Sequence, residues 1–298
     1  MMYTAEISRN HPAMILFLLN QSGSMQEVYD PKDSQPMDEP FVADGKTYTH
    51  TVSGPTKAQA LADAINKWLQ NLCIKCAKEE GVRDYFHVGV IGYGMEVGPS
   101  FVGTLSGRDL VPISAVGGSP ARIETRTKKV SDGAGGLVEL EVKFPIWFEA
   151  VADGGTPMCE ALGVAYRIIK GWLDTHPNCF PPIVINITDG ESTDGDPTGA
   201  AAALRALASS DGETLLFNLH LSAQKSRTIE FPSSEAGLPD QFAKGLFQMS
   251  SCLTPFMVSE VNQQGFQAGE GARGFVFNAT LEIAFQFLDI GTRRSNLR

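Results

Sequence analysis

Three short loops carry oxygen-bearing side chains of the types that bind hard metal ions. Ser22 and Ser24 flank a glycine in the first loop, and Asn20 lies just before them. Thr156 is in the second loop and Asp189 in the third. Hydroxyl, amide and carboxylate oxygens suit Mg²⁺, Mn²⁺ or Ca²⁺ rather than zinc or copper. The residue types therefore predict a divalent-metal site with at least one coordination position open to a carboxylate from another molecule.

The elements that would position these loops follow from apolar runs and helical periodicity. Five apolar runs predict strands buried on both faces, at residues 14–19, 86–92, 183–188, 215–221 and 274–278. Helical patterns lie between or after them, at residues 56–78, 158–174, 197–208, 240–250 and 280–289. This alternation predicts a doubly wound, Rossmann-like α/β fold, with a mostly parallel sheet and helices on both faces. The three loops would then meet beyond the carboxyl ends of the strands, where such sheets bind ligands.

Two segments interrupt the alternation and are predicted to be insertions. Residues 29–55 carry Pro31, Pro36, Pro40 and an Asp44-Gly45 pair between extended stretches, which indicates a hairpin. Residues 95–152 contain glycine turns and a partly alternating stretch, which indicates a β-rich insertion. A segment of about 60 residues buries too little apolar surface to be stable alone. We therefore expect a single domain spanning residues 1–298.

The three loops, taken in chain order, resemble the metal-ion-dependent adhesion site (MIDAS) of von Willebrand factor A (vWA) domains. That family has D-x-S-x-S, then a lone threonine, then an aspartate in a T-D-G loop. This chain has N-Q-S-G-S from Asn20, then Thr156, then T-D-G around Asp189. The resemblance covers essentially the whole chain and implies a vWA fold of the bacterial intracellular type. It also implies that Ser22, Ser24 and Thr156 bind the ion directly, with Asp189 one shell further out.

Asn20 departs from the family pattern, because an amide keeps an oxygen acceptor but loses the negative charge of aspartate. We expect this change to weaken metal affinity. The function that the resemblance implies is a metal-dependent protein-binding module that docks an acidic residue of a partner protein. Bacterial relatives often work in stress-response systems with AAA+ ATPases, kinases or phosphatases.

Two alternatives to this binding module stay open on the sequence. One is a metal-dependent hydrolase or phosphatase on the same loops, and the other is a metal-free structural scaffold. Hydrolysis needs an activated water with a base, or a nucleophile. The motifs supply no histidine or lysine for that role, so we expect the protein not to be an enzyme.

The composition excludes some classes of partner and indicates a cellular compartment. The formal net charge of −10 argues against binding to nucleic acid or to anionic lipid. No apolar run is long enough to span a membrane. The five cysteines form no paired framework, which favours the reducing cytoplasm. Cys73 and Cys76 fall inside a helical pattern and are predicted to be buried thiols. The sequence leaves the oligomeric state open.

Five residues have expected structural roles. Thr156 is predicted to cap the helix that follows it, in addition to its place in the metal site. Asp194 and Asp196 are predicted to cap the helix that begins near residue 197. His87 and His220 lie inside strand patterns and are predicted to be core residues rather than general bases.

Overall fold

The computed structural model describes residues 7–29, 35–36, 41–43, 46–48, 51–52, 54–131, 137–221, 227–279 and 283. The helices in this part of the chain are α1 (Lys57–Cys76), α2 (Ile113–Gly118), α3 (Met158–Thr175), α4 (Thr198–Arg205), α5 (Gln241–Met249) and α6 (Pro255–Gln263). Two 3₁₀ turns cover Gly23–Gln26 and Gly103–Leu105. The strands are β1 (Ala13–Asn20), β2 (Gln35–Pro36), β3 (Phe41–Ala43), β4 (Lys46–Tyr48), β5 (Thr51–Val52), β6 (Ala77–Lys78), β7 (Gly81–Val82), β8 (Phe86–Tyr93), β9 (Val97–Pro99), β10 (Val111–Pro112), β11 (Arg122–Ser131), β12 (Leu137–Ile146), β13 (Ile183–Thr188), β14 (Ala208–Ser209), β15 (Gly212–Glu213), β16 (Leu215–Leu221), β17 (Ile229–Glu230) and β18 (Phe275–Ala279).

The central strand β1 is buried along its whole length because both of its faces are covered. Ile15 and Phe17 point into an apolar cluster that also contains residues of α1 and α6. Leu16 and Leu18 point into a second cluster, which contains residues of α3, α4 and α5. A strand that is covered on both sides needs a nearly continuous apolar sequence, which β1 has.

The main sheet has eight strands and is mixed in direction. Its order is β10-β8-β1-β13-β16-β18-β17, and β9 pairs with β8. The neighbouring pairs β8–β1, β1–β13, β13–β16 and β16–β18 are parallel. Strands β9, β10 and β17 are antiparallel to their neighbours. Strand β9 follows β8 after a turn of three residues, and so short a connection permits only antiparallel pairing. The predicted doubly wound vWA class is therefore corrected to a mixed eight-stranded sheet with helices packed against it.

Most of the individual elements predicted from periodicity are confirmed. The five strands lie within a residue or so of their expected positions, as do the helices α1, α3 and α5. Helix α4 is shorter than predicted, and α2 and α6 were missed. The helix expected over residues 280–289 lies outside the described residues, except for residue 283.

The two predicted insertions are described in part. Strands β3 and β4 pair antiparallel, although Asp44 and Gly45 between them lie outside the described residues. In the second insertion, β11 and β12 form a long antiparallel hairpin. The Asn66 side chain of α1 fixes the base of this hairpin, because it accepts from the Trp147 backbone N–H at 2.8 Å and donates to the Phe148 carbonyl at 2.7 Å. The organisation as one domain with two insertions stays a prediction.

A row of hydrogen-bonded polar side chains crosses the buried centre of the sheet. Tyr93 on β8 donates its hydroxyl proton to Asn186 on β13 at 2.7 Å. Asn186 donates to Asn218 on β16 at 2.9 Å, and Asn218 donates to the Ser250 hydroxyl at 2.9 Å. Buried amides are tolerated only when they are paired in this way. The row therefore links three strands with a specific alignment.

His220 is a core residue, as predicted, and His87 is half-buried. The His220 ring stacks on Phe277 with centroids 4.6 Å apart, and its Nδ1 accepts from the Asn278 backbone N–H at 3.3 Å. Burial lowers the pKa of His220 to about 4. The ring is therefore neutral in the folded protein at neutral pH.

We expect His220 to make the protein less stable as the pH falls from about 6.5 to about 4. In that window the unfolded chain binds a proton at this ring and the folded chain does not, so the free energy of unfolding decreases as pH decreases. The full effect is on the order of 3 kcal/mol at about 1.4 kcal/mol per pKa unit. Urea unfolding at several pH values should show a flatter slope for His220→Asn than for the wild type. His11→Asn, at an exposed position, is the control, and an unchanged slope in His220→Asn would contradict the assignment.

Candidate functional site

Backbone hydrogen bonds join two of the three predicted loops at the carboxyl end of β1. The Asp153 N–H donates to the Gln21 carbonyl at 2.7 Å, and the Gly23 N–H donates to the Gly154 carbonyl at 3.0 Å. The third loop begins where β13 ends, next to β1 in the sheet. A Cβ atom built on Gly190 would lie 3.7 Å from Thr156 Oγ1 and 4.0 Å from Ser24 Oγ. The chain thus brings all three loops to one point.

Four of the five predicted residues, Asn20, Ser22, Ser24 and Asp189, form a connected hydrogen-bond network. Ser22 Oγ and Ser24 Oγ are 2.9 Å apart, and Ser24 donates its hydroxyl proton to Asp189 Oδ1 at 2.8 Å. Asn20 donates from its amide nitrogen to the same carboxylate oxygen, also at 2.8 Å. Its amide oxygen accepts from the Ser22 backbone N–H at 2.8 Å. The amide oxygen of Asn20 therefore accepts a hydrogen bond from its own loop, whereas its amide nitrogen donates to Asp189.

Lys57, which was not predicted to belong to the site, supplies a cation to this network. Its Nζ donates to Asp189 Oδ2 at 2.9 Å and to Glu27 Oε2 at 2.7 Å. The side chains of Lys57 and Asp189 are 5% and 0% exposed, so their ion pair is buried. Burial opposes the charge on Lys57, but the hydrogen bonds to Glu27 and Asp189 and their attraction raise its pKa above the ordinary value. Lys57 is therefore charged at every pH at which the protein is expected to be folded.

The sequence did contain a signal for Lys57. It is the first residue of α1, where the helix dipole presents its positive end and disfavours a cation. A lysine at that position costs up to about 1 kcal/mol, which nearby carboxylates offset. The apolar spacing of α1 indicates which residues of the helix are buried, but it does not indicate a role for Lys57.

The prediction of a metal-binding protein is corrected. Within the described ranges, no group of three or more His, Cys, Asp or Glu side chains could hold a metal ion. Asp189 provides the only carboxylate in the predicted ligand set, and both of its oxygens are already engaged. The donors present therefore do not fit a divalent ion in this arrangement. The ligand roles of the five predicted residues stay predictions. So does the choice among Mg²⁺, Mn²⁺ and Ca²⁺.

The helix caps differ from those predicted. Thr156 does not cap α3, since Pro157 is the N-cap residue and no side-chain bond is made there. Asp194 caps α3 instead of α4, because its carboxylate accepts from the backbone N–H groups of Cys159 at 3.0 Å and Glu160 at 2.9 Å. Asp196 has its predicted role, since its carboxylate accepts from the backbone N–H of Thr198, the first residue of α4, at 2.9 Å.

The Asp194 carboxylate is held in its charged form by these contacts. Burial would raise its pKa, but hydrogen bonds from the Glu160 backbone, the Ser192 hydroxyl and Cys159 lower it below the ordinary value. A negative charge at this position also faces the positive end of α3. The loop after β13 is thereby tied to α3 as well as to the cluster.

Burial keeps the thiols of Cys73, Cys76 and Cys159 protonated at neutral pH. Cys73 and Cys76 are free, buried and on α1, which confirms their predicted role. Burial raises the pKa of each to about 12. Burial also raises the pKa of Cys159, the cysteine closest to the cluster. Protonated thiols are poor nucleophiles and poor metal ligands.

The comparisons with known proteins give only distant likenesses. No family model matches the chain, and no curated protein matches it. Three N-terminal domains of the type V pili tip protein Mfa5 from Porphyromonas gingivalis are similar at 11% identity and a TM-score of 0.30, over 61% of this chain and 20% of that one. The pilus adhesin RrgA from Streptococcus pneumoniae is similar at 13% identity and a TM-score of 0.29, over 93% and 34% of the two chains. The adhesive tip pilin GBS104 from Group B Streptococcus agalactiae is similar at 10% identity and a TM-score of 0.27, over 88% and 72%.

These findings overturn the predicted family and compartment. No vWA model matches, and the similar structures are described as pilus tip proteins and adhesins rather than as vWA domains. The comparisons give no support to the predicted MIDAS-type module or to the cytoplasmic location, and both predictions are withdrawn. This chain spans a fifth and a third of the lengths of the first two. TM-scores this low do not transfer the function of those proteins to this chain.

No helix among the described residues combines the length and the apolar character that a membrane crossing requires.

We expect Asp194→Ala to destabilise the protein by about 1–2 kcal/mol, because two N–H groups at the start of α3 lose their acceptor. Urea unfolding followed by circular dichroism measures the loss. Glu191→Ala is the control, since that side chain lies exposed on the same loop. Equal stability of the two variants would show that Asp194 does not cap α3.

Proposed function

We propose that this chain is a non-enzymatic protein-binding domain that binds its partner on the β11–β12 hairpin. The observation that carries this proposal is a row of exposed apolar side chains on β12. Val138, Leu140 and Val142 are 43%, 50% and 36% exposed. They occupy alternate positions of one strand and therefore lie on the same face.

Such a row differs from the scattered apolar residues that every protein surface carries. Isolated exposed side chains are normal, whereas neighbouring ones on one face mark binding surfaces. Phe144 is the next residue on this face and is buried. The apolar face of the hairpin thus begins in the folded body and continues into solvent, where a second molecule could cover it.

The root of the hairpin is held firmly enough to present this face in a fixed position. The Arg126 guanidinium lies 3.7 Å from the centroid of the Phe144 ring. Its Nη1 is 2.8 Å from Asp63 Oδ2 on α1. Arg126 is also the cross-strand partner of Val142. A cation over an aromatic face and an ion pair to a helix together restrict the motion of this part of the hairpin.

The hairpin favours an extended strand as its partner. Strands β11 and β12 form a two-stranded sheet, so in the described residues each has an edge without a neighbouring strand. An added strand would satisfy that edge, as in β-augmentation, and its own apolar side chains would lie beside the row on the same face. Glu139 and Glu141 are exposed on the opposite face of β12. The partner we propose is therefore a strand with apolar residues on one face and Lys or Arg on the other.

The chemistry of the cluster supports a role without catalysis. The hydroxyls of Ser22 and Ser24 bond to each other and to Asp189, whose other oxygen accepts from Lys57. In the part of the chain that the structure describes, neither hydroxyl bonds to a histidine that could take its proton. The hydrolase alternative therefore has no activated nucleophile among the described residues of the cluster.

The hairpin surface can be tested with a photo-reactive amino acid in the native cells of the protein. We expect a probe at Leu140 to cross-link to one discrete partner protein, because this side chain is central in the exposed row. A probe at Thr127 is the matched control, since it is also exposed but lies on the opposite face. The triple variant Val138→Ser/Leu140→Ser/Val142→Ser should keep the melting temperature within a few degrees and reduce partner capture at least about tenfold, a change of about 1.4 kcal/mol.

Three outcomes would refute the proposed surface. The first is equal cross-linking from both faces, and the second is no adduct from Leu140. The third is an adduct of twice the mass of the chain, which would assign the surface to a second copy rather than to another protein.

A further inference from the structure

We infer that the Lys57 ammonium is the resident cation of the loop cluster, so that the three loops assemble without a metal ion. This inference concerns a different surface from the hairpin and does not depend on the proposed function. It rests on where the ammonium lies, on what holds it there and on the charges around it.

The ammonium lies against the one buried carboxylate of the loop cluster. It contacts Asp189 Oδ2 at 2.9 Å, and the other oxygen of that carboxylate accepts from Ser24 and Asn20 at 2.8 Å each. Both oxygens of the buried carboxylate thus accept hydrogen bonds, and the ammonium occupies the Oδ2 side. A divalent ion that bound Oδ2 would lie beside the ammonium, which repels it.

The position of Lys57 is fixed by the start of α1 rather than by its flexible side chain alone. Thr56 and Gln59 form a reciprocal capping box at the helix N-terminus, at 3.2 and 3.0 Å. The Lys57 backbone N–H donates to the Glu27 carbonyl at 2.8 Å. The backbone of Lys57 is therefore held on both sides, and its side chain extends directly into the cluster.

The charges balance with the ammonium and would not balance with a divalent ion added to it. The cluster contains one buried carboxylate, because Asn20 is neutral. Glu27 adds a second carboxylate, but its side chain is 64% exposed. A divalent ion beside the buried ammonium would bring two like charges to within a few ångströms of it. We therefore conclude that Lys57 keeps divalent ions out.

Titration with Mn²⁺, followed by the electron paramagnetic resonance signal of the free ion, tests this inference. The wild type should leave essentially all of the Mn²⁺ free at about millimolar ion. Lys57→Met should bind one Mn²⁺ per chain at least about tenfold more tightly, a change of about 1.4 kcal/mol, and its melting temperature should rise with Mn²⁺. Lys57→Met/Asp189→Asn should lose that binding. Glu27→Gln keeps the buried pair and is the matched control, which should bind no more Mn²⁺ than the wild type.

Two results would overturn the inference. Tight Mn²⁺ binding by the wild type that is lost in Ser24→Ala would show that the ammonium does not exclude the ion. Absence of binding in both the wild type and Lys57→Met would show that something other than Lys57 excludes it. If Lys57→Met does not fold, Lys57→Gln replaces it, since the amide removes the charge but can still donate to a carboxylate.

Discussion

The buried ion pair between Lys57 and Asp189 is the constraint on which the carboxyl edge of the sheet depends. A carboxylate with no exposed surface is stable only when a cation and hydrogen-bond donors surround it. Those partners come from α1 and from the loop after β1, which are both distant from Asp189 in the sequence. The edge therefore forms only when β1, β13 and α1 are all in place. Removing one charge of the pair would leave the other buried without compensation.

The same edge also anchors the segment that carries the proposed binding surface. That segment leaves the sheet after β10 and reaches the first loop at Asp153, whose backbone bonds to Gln21. Asn66 and Arg126 then fasten the hairpin to α1, the helix that also provides Lys57. Helix α1 thus links the polar cluster at one end to the apolar row on the hairpin. The two features differ in chemistry but share one rigid support.

How much could be predicted from the sequence depends on how local each signal is. The strands around Phe17 and Ile185 were predicted because a strand that is buried on both faces is apolar at every position. The three loops were brought together correctly because each follows or precedes such an element. Lys57 and the capping role of Asp194 were missed because each acts on groups at least 30 residues away. The strand directions at the sheet edges were also missed, since they depend on short connections whose residues carry no distinct pattern.

The family assignment failed for a related reason. A motif records which residue types occur and in what order, but it does not record what lies between them in space. Ser22, Ser24 and Asp189 do converge, yet the positive charge that pairs with Asp189 comes from a lysine outside the motif. Asn20 was the signal of this difference within the motif. Because Asn20 is neutral, Asp189 is the buried negative charge of the cluster, and one positive charge compensates it.

The cap on α3 has a consequence for the order in which the chain folds. Asp194 lies 35 residues beyond the N–H of Cys159 that it accepts from. Closing a loop of that length costs entropy before the cap contributes any stability. The first turn of α3 therefore acquires its acceptor only after β13 has docked beside β1. Late in folding, that docking would complete the helix start and the polar cluster in a single cooperative step.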